Sequence, residues 1–159
     1  MSGRRRPAGA RRGHPARASR HGQRGPKNGR RKLANHPSVA ERLETADLLL
    51  AGAVTDAGGL WSRATAWILR IALEQAVDEL WLRLAPALIR CPMRAQLIAL
   101  RAFAGPDVAA RVAVLWAALS RAAHHHDYEL APSVTDLRRW REQTLALAEE
   151  LAAVEAHQG

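Results

Sequence analysis

From residue 38 onward, apolar residues recur every three or four positions, and no alternation of apolar and polar residues lasts four residues. Spacings of three and four place side chains on one face of an α-helix, whereas a strand exposed on one side needs a period of two. Alanine and leucine dominate this region, while the β-branched valine and isoleucine that favour strands are few. The sequence therefore predicts an all-α fold.

Local signals divide this region into helices. Ser38 with Glu41 three residues later forms a predicted capping box, Pro86 stops the longest helix, and Ser133 with Asp136 offers a second capping box. The predicted helices cover residues 38 to about 54, 60 to 85, 93 to 103, about 108 to the histidines at 124, and 133 to 151. Because short loops favour antiparallel neighbours, we expect an up-and-down bundle of four main helices plus one shorter helix over residues 38–157.

Two groups of residues are expected in the core. Each of the five tryptophans falls on or beside an apolar stripe, and stacking on a nucleobase is an alternative role for Trp61 or Trp140. The tryptophans are Trp61, Trp67, Trp81, Trp116 and Trp140. In the longest helix the predicted core stripe consists of Leu60, Ala64, Trp67, Ile71, Leu80, Trp81 and Leu84.

The excess positive charge of the chain is confined to residues 1–36, which hold ten arginines, two lysines and no acidic residue. The remaining 12 basic and 15 acidic residues give the rest of the chain a formal net charge of −3. Almost no large apolar side chain occurs before Leu33, so we expect residues 1–36 to be a disordered tail. Such a tail either attracts nucleic acid through counterion release or is only a solvated extension, as from a start codon assigned too far upstream.

Features that would direct the chain out of the cytoplasm are not expected. One cysteine, Cys91, cannot form an internal disulfide bond, so the sequence does not indicate an oxidising compartment. No apolar run approaches the roughly 18 residues of a membrane span, and no apolar stretch follows the basic N-terminus as in a secretory signal. A cytoplasmic protein that does not enter the membrane is predicted.

Three histidines, an arginine, an acid and a tyrosine crowd the end of the fourth predicted helix, in the run Arg121-Ala122-Ala123-His124-His125-His126-Asp127-Tyr128. Histidine titrates near neutral pH, and arginine holds a phosphate through a planar fork of donors. A histidine could act as base on a ribose 2′-hydroxyl or as acid toward the leaving oxygen. The arginine would stabilise the negative charge that develops on the phosphorane. Together these residues could cleave RNA without a metal or cofactor.

The run resembles the signature of the HEPN domains, small helical bundles of defence systems, in the form R-x4-H-x-Y carried by Arg121, His126 and Tyr128. The resemblance implies a metal-independent endoribonuclease, often a toxin or defence effector, that acts as a homodimer with the two motif helices facing each other across an RNA cleft. It implies that a partner nucleotidyltransferase antitoxin can modify Tyr128. It also implies an acidic helper on an earlier helix, for which Glu74 and Asp78 are candidates. Ala122 departs from the polar residue that follows the motif arginine in many active members.

Other interpretations of the same run remain open. On a straight helix, Arg121 and His126 would lie about 140° apart, whereas His125 and His124 would lie about 40° and 60° from the arginine. The helical geometry thus favours His125 or His124 as the neighbour of Arg121, while the motif favours His126. The histidines could instead only cap the helix, or His124 with Asp127 or Tyr128 could supply part of a metal site. A non-catalytic adaptor that dimerises or binds a nucleotide or protein is the alternative function.

Deleting residues 1–36 should leave the melting temperature of the bundle unchanged, because the tail has no apolar surface to bury in it. The same deletion should weaken nonspecific RNA binding at low salt, since the tail carries the excess positive charge. Thermal unfolding and RNA binding at two salt concentrations check both points. Equal RNA affinity with and without the tail would show that the tail does not contribute to RNA binding.

Overall fold

The computed structural model describes residues 36–52, 60–124 and 130–155. Within these ranges every regular element is helical, which confirms the all-α prediction. The elements are α1 (Val39–Ala51), α2 (Leu60–Leu84), a short 3-10 helix (Pro86–Arg90), α3 (Met93–Phe103), α4 (Gly105–Ala123) and α5 (Val134–Ala153). The predicted tail, residues 1–36, falls outside the described residues except for His36. Helix α1 ends at Ala51, three residues earlier than predicted.

Two of the helices begin at serine caps that the sequence predicted. The Ser38 hydroxyl accepts a hydrogen bond from the Glu41 N–H at 3.2 Å, and the Glu41 carboxylate accepts from the Ser38 N–H at 2.6 Å. These bonds, above all the one from the Ser38 backbone, lower the pKa of Glu41. At α5, Ser133 accepts from the Asp136 N–H at 3.1 Å, while the Asp136 carboxylate accepts from the Ser133 hydroxyl. The carboxylate of the second cap therefore accepts from the serine hydroxyl, whereas that of the first cap accepts from the serine N–H.

Helix α2 lies at the centre of the bundle and packs against α1, α4 and α5, whereas the shorter α3 packs against α4. This arrangement confirms the bundle of four main helices and one shorter helix. The Trp81 side chain is fully buried near the end of α2, and its ring meets Phe103 of α3 edge to face at 5.2 Å between centroids. The fully buried leucines come from four helices: Leu69, Leu73, Leu80, Leu100, Leu119, Leu137 and Leu151.

The predicted core stripe of α2 is wrong over the first half of the helix. Leu60 is 71% exposed and Trp67 is 51% exposed, whereas Leu69 and Leu73 are fully buried. Apolar residues occur on nearly every face of α2, so two different stripes fit the helical period and periodicity alone does not choose between them. Leu80 and Trp81 were predicted correctly. The remaining tryptophans, Trp61, Trp116 and Trp140, are partly buried against the core, so among the five only Trp67 departs clearly from the prediction.

Truncating one leucine on each face of α2 tests this orientation. Leu69→Ala should lower the free energy of unfolding by about 3 kcal/mol, because it leaves a cavity in a closely packed core. Leu60→Ala, the matched control on the exposed face, should change it by less than about 0.5 kcal/mol. Urea denaturation measures both changes. A larger loss for Leu60→Ala than for Leu69→Ala would contradict the orientation of α2.

Candidate functional site

Helix α4 ends one residue before the first histidine of the motif. His124 has an extended backbone with φ −76° and ψ 134°, and its N–H bonds to the carbonyls of Ser120 and Arg121. The His124 carbonyl accepts a hydrogen bond from Nη1 of Arg63 at 2.9 Å. Arg63 lies in the first turn of α2, so this bond joins the start of α2 to the end of α4 and brings a cation to the helix C-terminus, where it is favourable.

The assumption of a continuous helix through the histidines fails at His124. Once the backbone becomes extended, a rotation of 100° per residue no longer applies. His124 itself keeps a nearly helical φ of −76°, so its expected angle of about 60° from Arg121 still holds, whereas the angle for His125 no longer follows from helix geometry. What the structure records at the helix end is a cap by the His124 backbone, rather than by its side chain. His125, His126 and Tyr128 lie outside the described residues, so their roles stay predictions.

Arg121 occupies the last turn of α4 with its side chain exposed. It has no hydrogen bond or ion pair with any residue that the structure describes. The two other arginines nearby differ in this respect. Arg111 donates to Asp107 at 3.0 Å and to Glu150 at 2.8 Å, and Arg139 donates to Asp136 at 2.9 Å. Within the described part of the chain, no carboxylate neutralises the guanidinium of Arg121.

Arg121 borders a groove of about 670 Å³ between α4 and α5. Val114 of α4, with its side chain 71% exposed, forms apolar surface in it, while Leu115 and Leu147 are almost fully buried; Trp140 and Gln143 contribute from α5. Three arginines, Arg111, Arg121 and Arg139, line the groove as well, and no acidic residue is among the described residues lining it. Sequence reasoning singled out Trp140 but missed Arg139 and Gln143, although their spacing of four along one helix face was a usable signal.

The two candidate acidic helpers have other partners within the bundle. The Glu74 carboxylate accepts a hydrogen bond from Nε1 of Trp116 at 2.8 Å and lies 3.7 Å from Nε of Arg70. Asp78 interacts with Gln96 of α3, and burial, followed by the charge of Glu74, raises the pKa of Asp78. Glu74 lies eleven residues after Arg63, about 16 Å further along α2. The structure therefore brings neither carboxylate into hydrogen-bond contact with Arg121.

In residues 36–52, 60–124 and 130–155, no three or more His, Cys, Asp and Glu side chains are grouped so that they could hold a metal ion. None of the described helices is both long and apolar enough to cross a membrane.

Comparison with known proteins gave no relative. No protein-family model, no curated protein and no solved structure matches the chain. The likeness to HEPN domains therefore depends on the motif and on the helical bundle alone.

The raised pKa of Asp78 predicts how stability depends on pH. The folded protein binds the Asp78 proton more tightly than the unfolded chain does, so this residue lowers stability as the pH rises through and above the ordinary value of 3.8. Asp78→Asn removes this contribution. The stability of the variant relative to wild type should increase between about pH 4 and pH 7, as urea denaturation would show. Glu44→Gln, an exposed carboxylate on α1, is the control. If the stability of Asp78→Asn relative to wild type did not change with pH, the raised pKa of Asp78 would be contradicted.

Proposed function

We propose that this protein is a metal-independent endoribonuclease of the HEPN type, with Arg121 as the phosphate-binding residue and His126 as the proton-transfer residue. The observation that carries the proposal is the exposed Arg121 at the end of α4, which has no ion pair among the described residues and lies beside an open groove, five residues before His126. A bundle does not need an arginine next to three histidines for its stability. A phosphodiester is an anion that the planar guanidinium binds well.

The proposed reaction is transesterification of RNA. One imidazole removes the proton of a ribose 2′-hydroxyl, and the 2′-oxygen attacks the adjacent phosphorus. The bond from phosphorus to the 5′-oxygen breaks, and a second imidazole donates a proton to that oxygen. The products are a 2′,3′-cyclic phosphate and a free 5′-hydroxyl. Arg121 stabilises the additional negative charge on the phosphoryl oxygens in the transition state.

The reaction needs one base and one acid, and a homodimer can supply both. Two motif helices that face each other would place one His126 on each side of the scissile phosphate. Arg63 acts as a positioning residue in this arrangement, because its bond to the His124 carbonyl holds the point at which the chain leaves α4. Sedimentation that shows only monomer at micromolar protein concentration would count against a composite site.

The proposed biological role is that of a cytoplasmic toxin or defence effector. Tyr128, two residues after His126, is the proposed position at which a nucleotidyltransferase antitoxin adds a nucleotide. A bulky anionic group there would compete with RNA for Arg121 and so silence the enzyme. The tyrosine phenol is a chemically suitable acceptor, since its oxygen is a nucleophile once deprotonated.

Two observations favour a non-catalytic adaptor as the second candidate. Ala122 stands where many active HEPN domains have a polar residue, and the side chain of Val114 in the neighbouring groove is 71% exposed. An exposed apolar side chain beside a groove suits contact with a protein partner. A cleavage assay separates the two candidates.

We expect the purified protein to cleave single-stranded RNA at full rate in excess chelator and to leave 2′,3′-cyclic phosphate ends. Arg121→Ala and His126→Ala should each reduce the rate by about 100-fold or more, the usual cost of losing a proton-transfer group or a charge-stabilising donor. Arg101→Ala, which removes an exposed arginine of α3, is the matched control and should retain the wild-type rate. Gel analysis with end labelling measures rate and product together.

Two results would contradict the proposal. Folded wild-type protein that shows no cleavage would favour the adaptor. Cleavage that survives both substitutions would mean that other residues, or a contaminating nuclease, are responsible. Circular dichroism of each variant establishes that a lost rate does not come from lost structure.

A further inference from the structure

The groove between α4 and α5 joins the proposed phosphate-binding residue to an aromatic side chain. Arg111 of α4 bonds to Glu150 of α5, and the ends of α4 and α5 bond to opposite ends of α2, so α4 and α5 run antiparallel. Ten residues further along α4 is Arg121, and ten residues back along α5 is Trp140. Because both steps cover about 15 Å along their axes, Arg121 and Trp140 lie at the same level of the groove. Arg139 precedes Trp140, so two guanidinium groups and one indole lie at this end of the groove, which we call the Arg121 end.

We infer that this end of the groove binds one nucleotide of a single-stranded RNA, with the base against Trp140 and the phosphate between Arg121 and Arg139. The inference deepens the proposed function and rests on it in one respect, namely that Arg121 binds phosphate. It adds a subsite on α5, the helix that does not carry the motif, and makes the α5 residues Arg139, Trp140 and Gln143 part of substrate recognition.

The size and the apolar surface of the groove fit a nucleobase. Its volume of about 670 Å³ lies within the range of roughly 300–1,000 Å³ that is common for sites that bind small organic molecules. Val114, whose side chain is 71% exposed, offers apolar contact, and the partly buried Trp140 in the lining supplies an indole ring for stacking with a base. The Gln143 amide, one turn after Trp140, has both donor and acceptor atoms for the edge of a base.

The distribution of charge decides which end receives the phosphate. Arg111 is already bonded to two carboxylates, and Arg139 to one, whereas Arg121 has no carboxylate partner among the described residues. Among the described residues, uncompensated positive charge is therefore concentrated at the Arg121 end.

A single-stranded polymer is required, because a base can stack on Trp140 only when it is unpaired and turned out of its own stack. Bases inside an RNA duplex are not accessible to a groove between two helices. The proposed site therefore predicts a preference for loops and unpaired segments over duplex. It gives the enzyme a contact with the nucleotide that neighbours the cleaved bond.

Binding of an oligonucleotide that cannot be cleaved tests the inference without catalysis. The probe is a short 2′-O-methylated oligoadenylate, whose 2′-oxygen has no proton to lose and therefore cannot attack phosphorus. Gln143→Glu places a negative charge one turn from Arg139 and should weaken binding about fivefold at low salt. Gln75→Glu makes the same exchange beside Arg42, on the side of α2 that faces α1, and should bind as wild type does. Isothermal titration calorimetry measures each dissociation constant.

Trp140→Leu keeps apolar volume but removes the aromatic face, and it should weaken binding by about tenfold, the value of one stacked base. Its melting temperature is measured alongside, and Gln143→Glu carries the test if this variant does not fold. Equal affinity of the Gln143→Glu and Gln75→Glu proteins, or no saturable binding by wild type, would overturn the inference. Competition by an acidic helical peptide at equal affinity would also overturn it, in favour of a protein partner.

The inference and the proposed function can fail separately. His126→Ala removes the proposed proton-transfer group but leaves the groove, so it should stop cleavage while the oligonucleotide still binds. A wild-type protein that binds the oligonucleotide through Gln143 and Trp140 but never cleaves RNA would leave the subsite intact and disprove the nuclease. Cleavage at the wild-type rate by both the Gln143→Glu and the Trp140→Leu proteins would leave the nuclease intact and disprove the subsite.

Discussion

The burial of α2 against three other helices is the constraint on which the rest of the structure depends. Leu69, Leu73, Val77 and Leu80 are fully buried along this helix, and Ala66 and Ala72 let neighbouring backbones approach closely. Burying this surface removes apolar area from water and orients α1, α4 and α5 around one axis. The position of every candidate functional residue described here follows from that arrangement.

Because α4 and α5 both pack on α2, their other faces meet at an angle and leave a groove. Packing on α2 also sets how far α4 is shifted along α5, and the bond from Arg111 to Glu150 marks that shift. The shift decides that Arg121 lies opposite Trp140 rather than opposite the apolar residues further along α5. A surface ion pair of this kind contributes little to stability, so it accompanies the register rather than sets it.

The end of α4 is held by a different contact. Arg63 donates to the His124 carbonyl, which fixes the place where the backbone changes from helical to extended. Glu74 and Asp78, the acidic residues expected near the motif, lie in the second half of α2. They bond instead to Trp116 of α4 and Gln96 of α3. These contacts give hydrogen-bond partners to polar side chains between the helices, because polar atoms that lose contact with water on packing need such partners.

By itself, the sequence determined the number of helices, their order, the starts of α1 and α5, and the motif from Arg121 to Tyr128. Each of these depends on neighbours within about one turn, such as the Ser38 hydroxyl and the Glu41 carboxylate. Only the tertiary structure decided which face of α2 is buried, because apolar residues on several faces leave the choice to the packing of other helices. It also decided that Arg121 and Arg139, which are far apart in the chain, line one groove, since only the relative position of two packed helices brings them together.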